Sequence, residues 1–234
     1  MANYPRQLRR ADVCFTLIEL MVVVLILTTM MGVVFRQVDL VQKRARTEQS
    51  KLDAFQAARY FLDLMGRDIH GAGYPNARVQ DTSQITNGLN DVKNAVGLVK
   101  VDTGELRLET YDDQGKVIAV VYQLNSGVLQ RSQENKVVGS PLTGQTVSLQ
   151  NGVENVQNAT IFTAYKTDGT VVTLPVDISS SPTGIASIKS IEIVLQVQGN
   201  VNDIQTGAIP VTTLRSVVRV TNCSEAASAQ SNSC

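Results

Sequence analysis

The stretch Phe15-Thr16-Leu17-Ile18-Glu19-Leu20-Met21-Val22-Val23-Val24-Leu25-Ile26-Leu27 opens an apolar run that continues to residue 35. Glu19 is its single charged residue, since the next Asp, Glu, Lys or Arg is Arg36. At about 1.5 Å of rise per residue, a helix over residues 15–35 spans roughly the 30 Å hydrocarbon core of a bilayer. An ionisable side chain at that depth costs on the order of 2.5 kcal/mol or more. Glu19 therefore indicates that this segment does more than anchor the chain.

The composition excludes several classes of function. The 234 residues include 21 basic and 21 acidic side chains, so a neutral balance indicates no nucleic-acid contact. One histidine, His70, cannot form a His-rich metal site, and a position at a helix end suits it better. Asp112-Asp113 lacks the spaced acidic ligands of a calcium loop and is typical of a solvated turn. The sequence thus predicts no enzyme activity, no cofactor and no metal.

The three cysteines divide by position. Cys14 stands immediately before the apolar run, whereas Cys223 and Cys234 lie in a tail rich in Ser, Ala and Asn. In an oxidising compartment the tail pair forms a disulfide, which stabilises a short loop by roughly 3 kcal/mol in the chain-entropy account. The alternative is two free thiols in the tail.

A secretory signal, a lipoprotein signal and a plain membrane anchor each fit the N-terminal sequence poorly. A cleaved secretory signal has a shorter apolar core followed by a small-residue site, which Val33-Val34-Phe35-Arg36 does not provide. A lipoprotein signal places its cysteine after the apolar run, whereas Cys14 precedes it. A plain uncleaved anchor leaves Glu19 unexplained. Basic residues flank both ends of the run, so charge alone does not orient the segment.

The stretch Cys14-Phe15-Thr16-Leu17-Ile18-Glu19-Leu20-Met21-Val22 resembles the type III signal of type IV pilins and pseudopilins, usually Gly followed by Phe-Thr-Leu-Ile-Glu. The resemblance implies that a prepilin peptidase removes the leader, residues 1–14, by cutting between Cys14 and Phe15. Phe15 then becomes a methylated N-terminus and Glu19 the fifth residue of the mature chain. A buried carboxylate and a neighbouring subunit's N-terminal ammonium neutralise each other on assembly. The sequence departs from the family at Cys14, where glycine is usual.

Beyond the apolar run, the pattern remains helical and then changes to period two. An apolar stripe predicts that the helix continues to His70, with a transmembrane half at 15–35 and an amphipathic half at 36–74. Gly71-Ala72-Gly73-Tyr74-Pro75 ends it. A β-rich domain at 75–222 and a tail at 223–234 follow. The predicted fold class is α+β and pilin-like, with one long helix packed on antiparallel sheet. The stripe consists of Leu52, Phe55, Ala58, Leu62, Met65 and Ile69, and the predicted strands are 106–111, 117–124, 128–131, 146–149, 160–165, 171–174, 190–198 and 211–220.

The stretch Phe61-Leu62-Asp63-Leu64-Met65-Gly66-Arg67-Asp68-Ile69-His70-Gly71-Ala72-Gly73-Tyr74-Pro75 resembles the Arg-Asp-Ile-Arg-x-Ala-Gly-Tyr segment of PilW-type minor pilins. This resemblance implies a minor pilin that primes or caps a type IV pilus acting in adhesion, motility or DNA uptake. Its partners would be major and minor pilins, the prepilin peptidase, the inner-membrane assembly platform and membrane lipid. The chain would cross the inner membrane once, with a periplasmic C-terminal domain, before entering the filament.

Two alternatives remain open from the sequence. The first is a minor pseudopilin of the J type in type II secretion, which shares the same layout. The second belongs to another class: a single-pass, membrane-anchored exported sensor or enzyme.

Overall fold

The computed structural model of the chain describes residues 16–73, 92, 95–137, 148–203 and 205–221. Two compact units follow each other along the chain, Met1–Arg46 and Thr47–Cys234. Helix α1, Leu17–Gly71, begins in the first unit and ends in the second. The other elements are β1 Leu98–Val101, β2 Glu105–Tyr111, β3 Val117–Asn125, β4 Val128–Asn135, β5 Gln150–Val153, β6 Phe162–Tyr165, β7 Val176–Asp177, α2 Pro182–Ala186, β8 Ser190–Gln198 and β9 Val211–Arg219.

The N-terminal part of α1 is an uninterrupted apolar helix. It is long and apolar enough to cross a membrane, and none of its most apolar 18-residue window is buried. Large side chains along it are open to their surroundings, including Leu17 at 78% and Leu25 at 65% exposure. A helix that is apolar all round and unburied requires an apolar environment. Its length and composition therefore suit a single membrane span.

The C-terminal part of α1 packs into the core of the second unit. Ala58, Phe61, Met65 and Ile69 are buried and recur every three or four residues, so they form one face of the helix. The predicted stripe was wrong at two positions, since Leu52 is 52% exposed and Phe55 36% exposed. The face that enters the core keeps Ala58, Met65 and Ile69 of the predicted stripe. Ala54 belongs to it in place of Phe55, and Phe61 is more deeply buried than Leu62.

Two antiparallel sheets contain the strands. The larger has the order β5-β4-β3-β2-β1-β7 and the smaller the order β6-β8-β9. β3 and β4 form a hairpin in which Asn125 pairs with Val128, and the connecting residues Ser126 and Gly127 have φ of 49° and 78°. Positive φ at both central residues is typical of the type I′ turn, whose twist matches that of the strands. The turn predicted at Asn125-Ser126-Gly127 is confirmed.

One cluster of buried residues joins α1 to both sheets. Tyr122, Leu106 and Leu108 come from the larger sheet, and Phe162, Ile191 and Ile193 from the smaller. The helix residues named above belong to the same cluster. The expected α+β layout, a long N-terminal helix packed on antiparallel sheet, is therefore confirmed.

Most predicted strands are present, and the differences are local. The segment 171–174 was wrong as a strand: Val171 makes only a single bridge to Tyr165, because the turn at 166–169 folds it back beside β6. Edge strand β5 begins at Gln150, after the predicted 146–149, of which the described residues 148 and 149 are not strand. β1 and β7 were not predicted, since they are short. They pair with each other at the edge of the larger sheet.

Candidate assembly site

Glu19 lies in the first turn of α1. Its backbone N–H donates to the Thr16 carbonyl at 3.1 Å and lies 3.4 Å from Thr16 Oγ1. Thr16 is therefore the N-cap, and Thr16-Leu17-Ile18-Glu19 has the spacing of a capping box. In a complete capping box the glutamate side chain would return to the cap, but no described group bonds the Glu19 carboxylate. Its negative charge stays available at the positive end of the helix dipole.

The other polar side chains of the apolar segment are satisfied within the helix. The Thr28 hydroxyl donates to the Val24 carbonyl at 2.9 Å, and the Thr29 hydroxyl donates to the Ile26 carbonyl at 2.8 Å. Such back-bonding lets a threonine sit in an apolar environment without an unpaired donor. Glu19 is consequently the one side chain between Leu17 and Phe35 whose polar atoms lack an intrahelical partner in the described structure.

No cation on the described part of α1 can reach Glu19. The first is Arg36, seventeen positions later, which places it about 25 Å away along the helix axis. Lys43, farther along, forms an exposed ion pair with Asp39 at 2.8 Å. A cation that pairs with Glu19 must therefore come from outside the described part of α1.

Four predicted site residues lie outside the described residues. They are the two sides of the predicted cleavage site, Cys14 and Phe15, and the two tail cysteines, Cys223 and Cys234. Cleavage, methylation and the disulfide stay predictions.

Within the second unit, a polar clamp joins α1 to the larger sheet; it consists of Asp68, Tyr122 and Arg131. Arg131 Nη2 donates to Asp68 Oδ2 at 2.8 Å, and Arg131 Nε lies 3.0 Å from the Tyr122 hydroxyl. The Tyr122 hydroxyl in turn donates to Asp68. Burial, reinforced by the negative charge of Asp68, raises the pKa of Tyr122 well above its usual range. The Phe61 ring meets the Tyr122 ring edge-on, with centroids 5.7 Å apart.

The clamp was not predicted, although part of its signal is in the sequence. The turn at Ser126-Gly127 sets the hairpin register that places Tyr122 opposite Arg131. The position of Asp68 relative to that hairpin depends on how α1 docks, which no local pattern specifies. An acid in the last turn of a helix is disfavoured by the dipole, so the guanidinium also compensates for an unfavourable position.

Two further buried carboxylates have partners. Glu109 accepts from Lys136 Nζ at 2.7 Å and from the Val96 N–H at 3.1 Å, and both side chains of the ion pair are 2% exposed. On the smaller sheet, Glu192 accepts from the Tyr165 hydroxyl at 2.6 Å and from Arg215 Nε. These contacts join neighbouring elements of the second unit.

The remaining predicted positions have structural roles. His70 lies in the last turn of α1, and its carbonyl accepts from the Thr221 hydroxyl at 3.3 Å. Asp112 Oδ1 accepts the N–H groups of Gln114 and Lys116 at 2.9 and 2.8 Å, which makes it the residue that closes the β2–β3 turn. Among the described residues no group of three or more His, Cys, Asp or Glu could hold a metal ion.

A groove of about 860 Å³ opens at the end of the smaller sheet. Lys166, Lys189 and Arg219 line it, and its described lining includes no acidic side chain. The charged side chains of this lining are therefore all basic.

In comparisons with known proteins, no protein-family model matches the chain and no curated protein matches it. The function must accordingly be argued from the residues and their geometry.

Proposed function

We propose that this chain is a minor pilin that co-assembles with other pilins at the inner membrane and primes or caps a type IV filament. The observation that carries the proposal is the Glu19 carboxylate, which has no partner among the described residues, in a helix otherwise suited to lipid. The signal-like sequence around Cys14 and Phe15 and the α+β fold with its long N-terminal helix support it.

Pairing between subunits gives Glu19 a physical purpose. Left alone at membrane depth, its charge destabilises the inserted helix. Cleavage after Cys14 would create a free α-amino group at Phe15, and methylation would leave that amine basic. When subunits stack, the Glu19 carboxylate of one chain and the Phe15 amine of another pair and remove two desolvation penalties together. A misaligned subunit leaves both charges unpaired, so the pair also selects the register.

The clamp gives the helix a second role in assembly. Through Asp68 the clamp ties the end of α1 to the β3–β4 hairpin. The ring contact between Phe61 and Tyr122 adds a second attachment of the helix to the same hairpin. A load transmitted along α1 within the globular unit therefore reaches the larger sheet through an ion pair and a ring contact. A filament subunit held by its helix needs this kind of attachment.

The test uses full-length chains with Glu19→Gln, which keeps the shape and removes the charge, and Glu19→Asp, which keeps the charge. We expect Glu19→Gln to insert in the inner membrane at wild-type level and to be reduced about tenfold or more in sheared filaments, because an unpaired N-terminal ammonium is left behind. Glu19→Asp should retain part of the incorporation. Immunoblots of membrane and filament fractions measure both. Wild-type incorporation of Glu19→Gln would refute the pairing.

Two further measurements separate the proposal from its rivals. N-terminal sequencing and intact mass of the membrane-extracted chain should show a methylated Phe15 start; a chain that begins at Met1 would refute processing. Deleting the gene should remove surface filaments. Accumulation of exported enzymes inside the envelope, with filaments intact, would instead indicate a secretion pseudopilin.

A further inference from the structure

Among the residues that the structure describes, no strand pairs with the outer edge of β9. Along one side β9 pairs with β8 over its full length, from Val211 opposite Gln198 to Arg219 opposite Ser190. It is the last strand in the order β6-β8-β9. In the part of the chain that the structure describes, no backbone group hydrogen-bonds to its other side.

The backbone polarity of this edge follows from two hydrogen bonds at the ends of the ladder. The Gly199 N–H donates to the Pro210 carbonyl at 3.0 Å, and the Val220 N–H donates to the Lys189 carbonyl at 2.9 Å. In an antiparallel pair, residues that bond to the partner strand alternate with residues that point away. Even-numbered residues of β9 therefore bond to β8. The residues whose N–H and C=O face the open edge are Val211, Thr213, Arg215, Val217 and Arg219.

Little protects this edge against pairing with another strand. Proteins usually blunt an edge by making it short, by placing a bulge or a proline in it, or by charged side chains, and of these devices β9 has only the charges of Arg215 and Arg219. β9 has nine residues, five of them β-branched, no proline, and a register without a shift. Val217 and Val211 are 60% and 52% exposed. An edge of this length and composition is suited to strand addition by an extended segment.

The charges around the edge select its occupant. Arg219 and Arg215 face outward on β9, which contains no acidic residue; the Arg215 side chain is 68% exposed, and its Nε also donates to the Glu192 carboxylate on β8, so Arg219 is the arginine of the two without that counter-ion. The basic groove that includes Lys166 and Arg219 continues from its end. A second copy would pair poorly, because antiparallel self-pairing about the strand centre places Arg215 opposite Arg215, and like charges directly opposite destabilise a sheet.

We infer that the open edge of β9 binds an extended, acidic segment of a different protein by strand addition, with carboxylates opposite Arg215 and Arg219. This site lies in the globular unit and goes beyond the proposed assembly role of Glu19. A chain that fails to enter filaments could still bind such a segment, so the two proposals fail separately.

The first test is a peptide-binding measurement on the full chain in detergent micelles. The probe is the fluorescent peptide Glu-Val-Thr-Val-Glu-Val-Thr-Val-Thr, whose first and fifth residues face Arg219 and Arg215 in the antiparallel register. One version is N-methylated at the third and seventh residues, whose amides face β9. The matched control is N-methylated at the fourth and sixth, whose amides face away.

We expect the first methylated peptide to bind about tenfold or more weakly than the control, since it loses two edge hydrogen bonds. A peptide with Lys in place of both Glu should also bind more weakly. Equal binding of the two methylated peptides would overturn strand addition, and equal binding of the Lys peptide would overturn the acidic occupant. No binding of the unmethylated peptide would overturn both.

Variants of the chain give the reciprocal test. Thr213→Pro removes an outward N–H and keeps the ladder to β8, since proline is tolerated on an edge strand. It should abolish peptide binding, whereas Thr213→Ala should retain it. Arg219→Glu should reduce or remove the preference for the Glu peptide over the Lys peptide, because only Arg215 then favours a carboxylate. If Thr213→Pro fails to fold, the binding of the two methylated peptides to the unaltered chain still tests strand addition. Dimerisation in sedimentation that Thr213→Pro abolishes and Thr213→Ala retains, with no binding of the acidic peptide, would assign the edge to a second copy and overturn the inference.

Discussion

Removing the carboxylate of Asp68 should loosen the attachment of α1 to the larger sheet. The Asp68 and Arg131 side chains are 13% and 19% exposed, and Tyr122 is fully buried. In Asp68→Ala the guanidinium loses its counter-ion and the Tyr122 hydroxyl loses its acceptor, though Arg131 still donates to that hydroxyl. Breaking a fully buried ion pair costs about 3–5 kcal/mol. The partial exposure of this pair reduces the expected loss to roughly 2–3 kcal/mol in the free energy of unfolding.

The assay is pulse proteolysis in a urea series on the full chain in micelles, which reports the unfolded fraction of the globular unit. Tyr122→Phe keeps the ring against Phe61 and should cost only about 1 kcal/mol. The matched control is Asp63→Ala, the same change at an exposed position of the same helix, which should stay within about 0.5 kcal/mol of wild type.

A double-mutant cycle isolates the ion pair. Asp68→Ala and Arg131→Ala should be less damaging together than the sum of the two single changes, with a coupling of about 1 kcal/mol or more. If Asp68→Ala is as stable as Asp63→Ala, or if the two changes add, the clamp does not attach the helix as reasoned.

Two other predictions concern the strands of the larger sheet. A Cβ at Gly152 would lie 2.1 Å from the ring of Phe61, so Gly152→Ala should destabilise the chain by about 1–3 kcal/mol, and adding Phe61→Leu should recover part of the loss. The midpoint of unfolding in urea measures both changes. The control is Gly104→Ala, where an added Cβ would lie 3.6 Å from its nearest neighbouring atom. Burial of Glu105 raises its pKa, but hydrogen bonds from two cationic neighbours outweigh burial and leave the pKa lowered. The carboxylate therefore stabilises the fold above its usual pKa of about 4.5, and that stability should be lost as the pH falls further. Glu105→Gln should therefore reduce the loss of unfolding free energy at acidic pH, whereas Glu154→Gln, at an exposed position, should leave it unchanged. An unchanged pH dependence in Glu105→Gln would contradict the assignment.

Local patterns predicted a large part of the fold. The apolar run over 15–35, the stripe from Leu52 to Ile69 and the glycines after His70 specify α1 to within a residue at its C-terminal end. Alternation over 190–198 and the turn at Ser126-Gly127 specify β8 and one hairpin. These signals are local, because backbone propensity and the burial of one face act within a few residues. Short strands lack such a signal, which is why β1 and β7 were missed.

The rest depended on contacts between residues far apart in the chain. Which face of α1 enters the core is decided by the space that both sheets leave, so Phe61 is buried and Phe55 is half exposed. The clamp unites residues 54 and 63 positions apart, and the open edge of β9 exists only because β8 occupies its other side.

Glu19 was evident from the sequence, because one charge in an apolar run needs no tertiary structure to be recognised. The tertiary structure added the side-chain geometry around it: threonine hydroxyls satisfied by their own helix, and a carboxylate with no described partner. In the globular unit, by contrast, the functional features were not evident from the sequence. Its polar clamp and its open strand edge arise from packing, since a side chain's partner and a strand's free side are defined only once distant segments have come together.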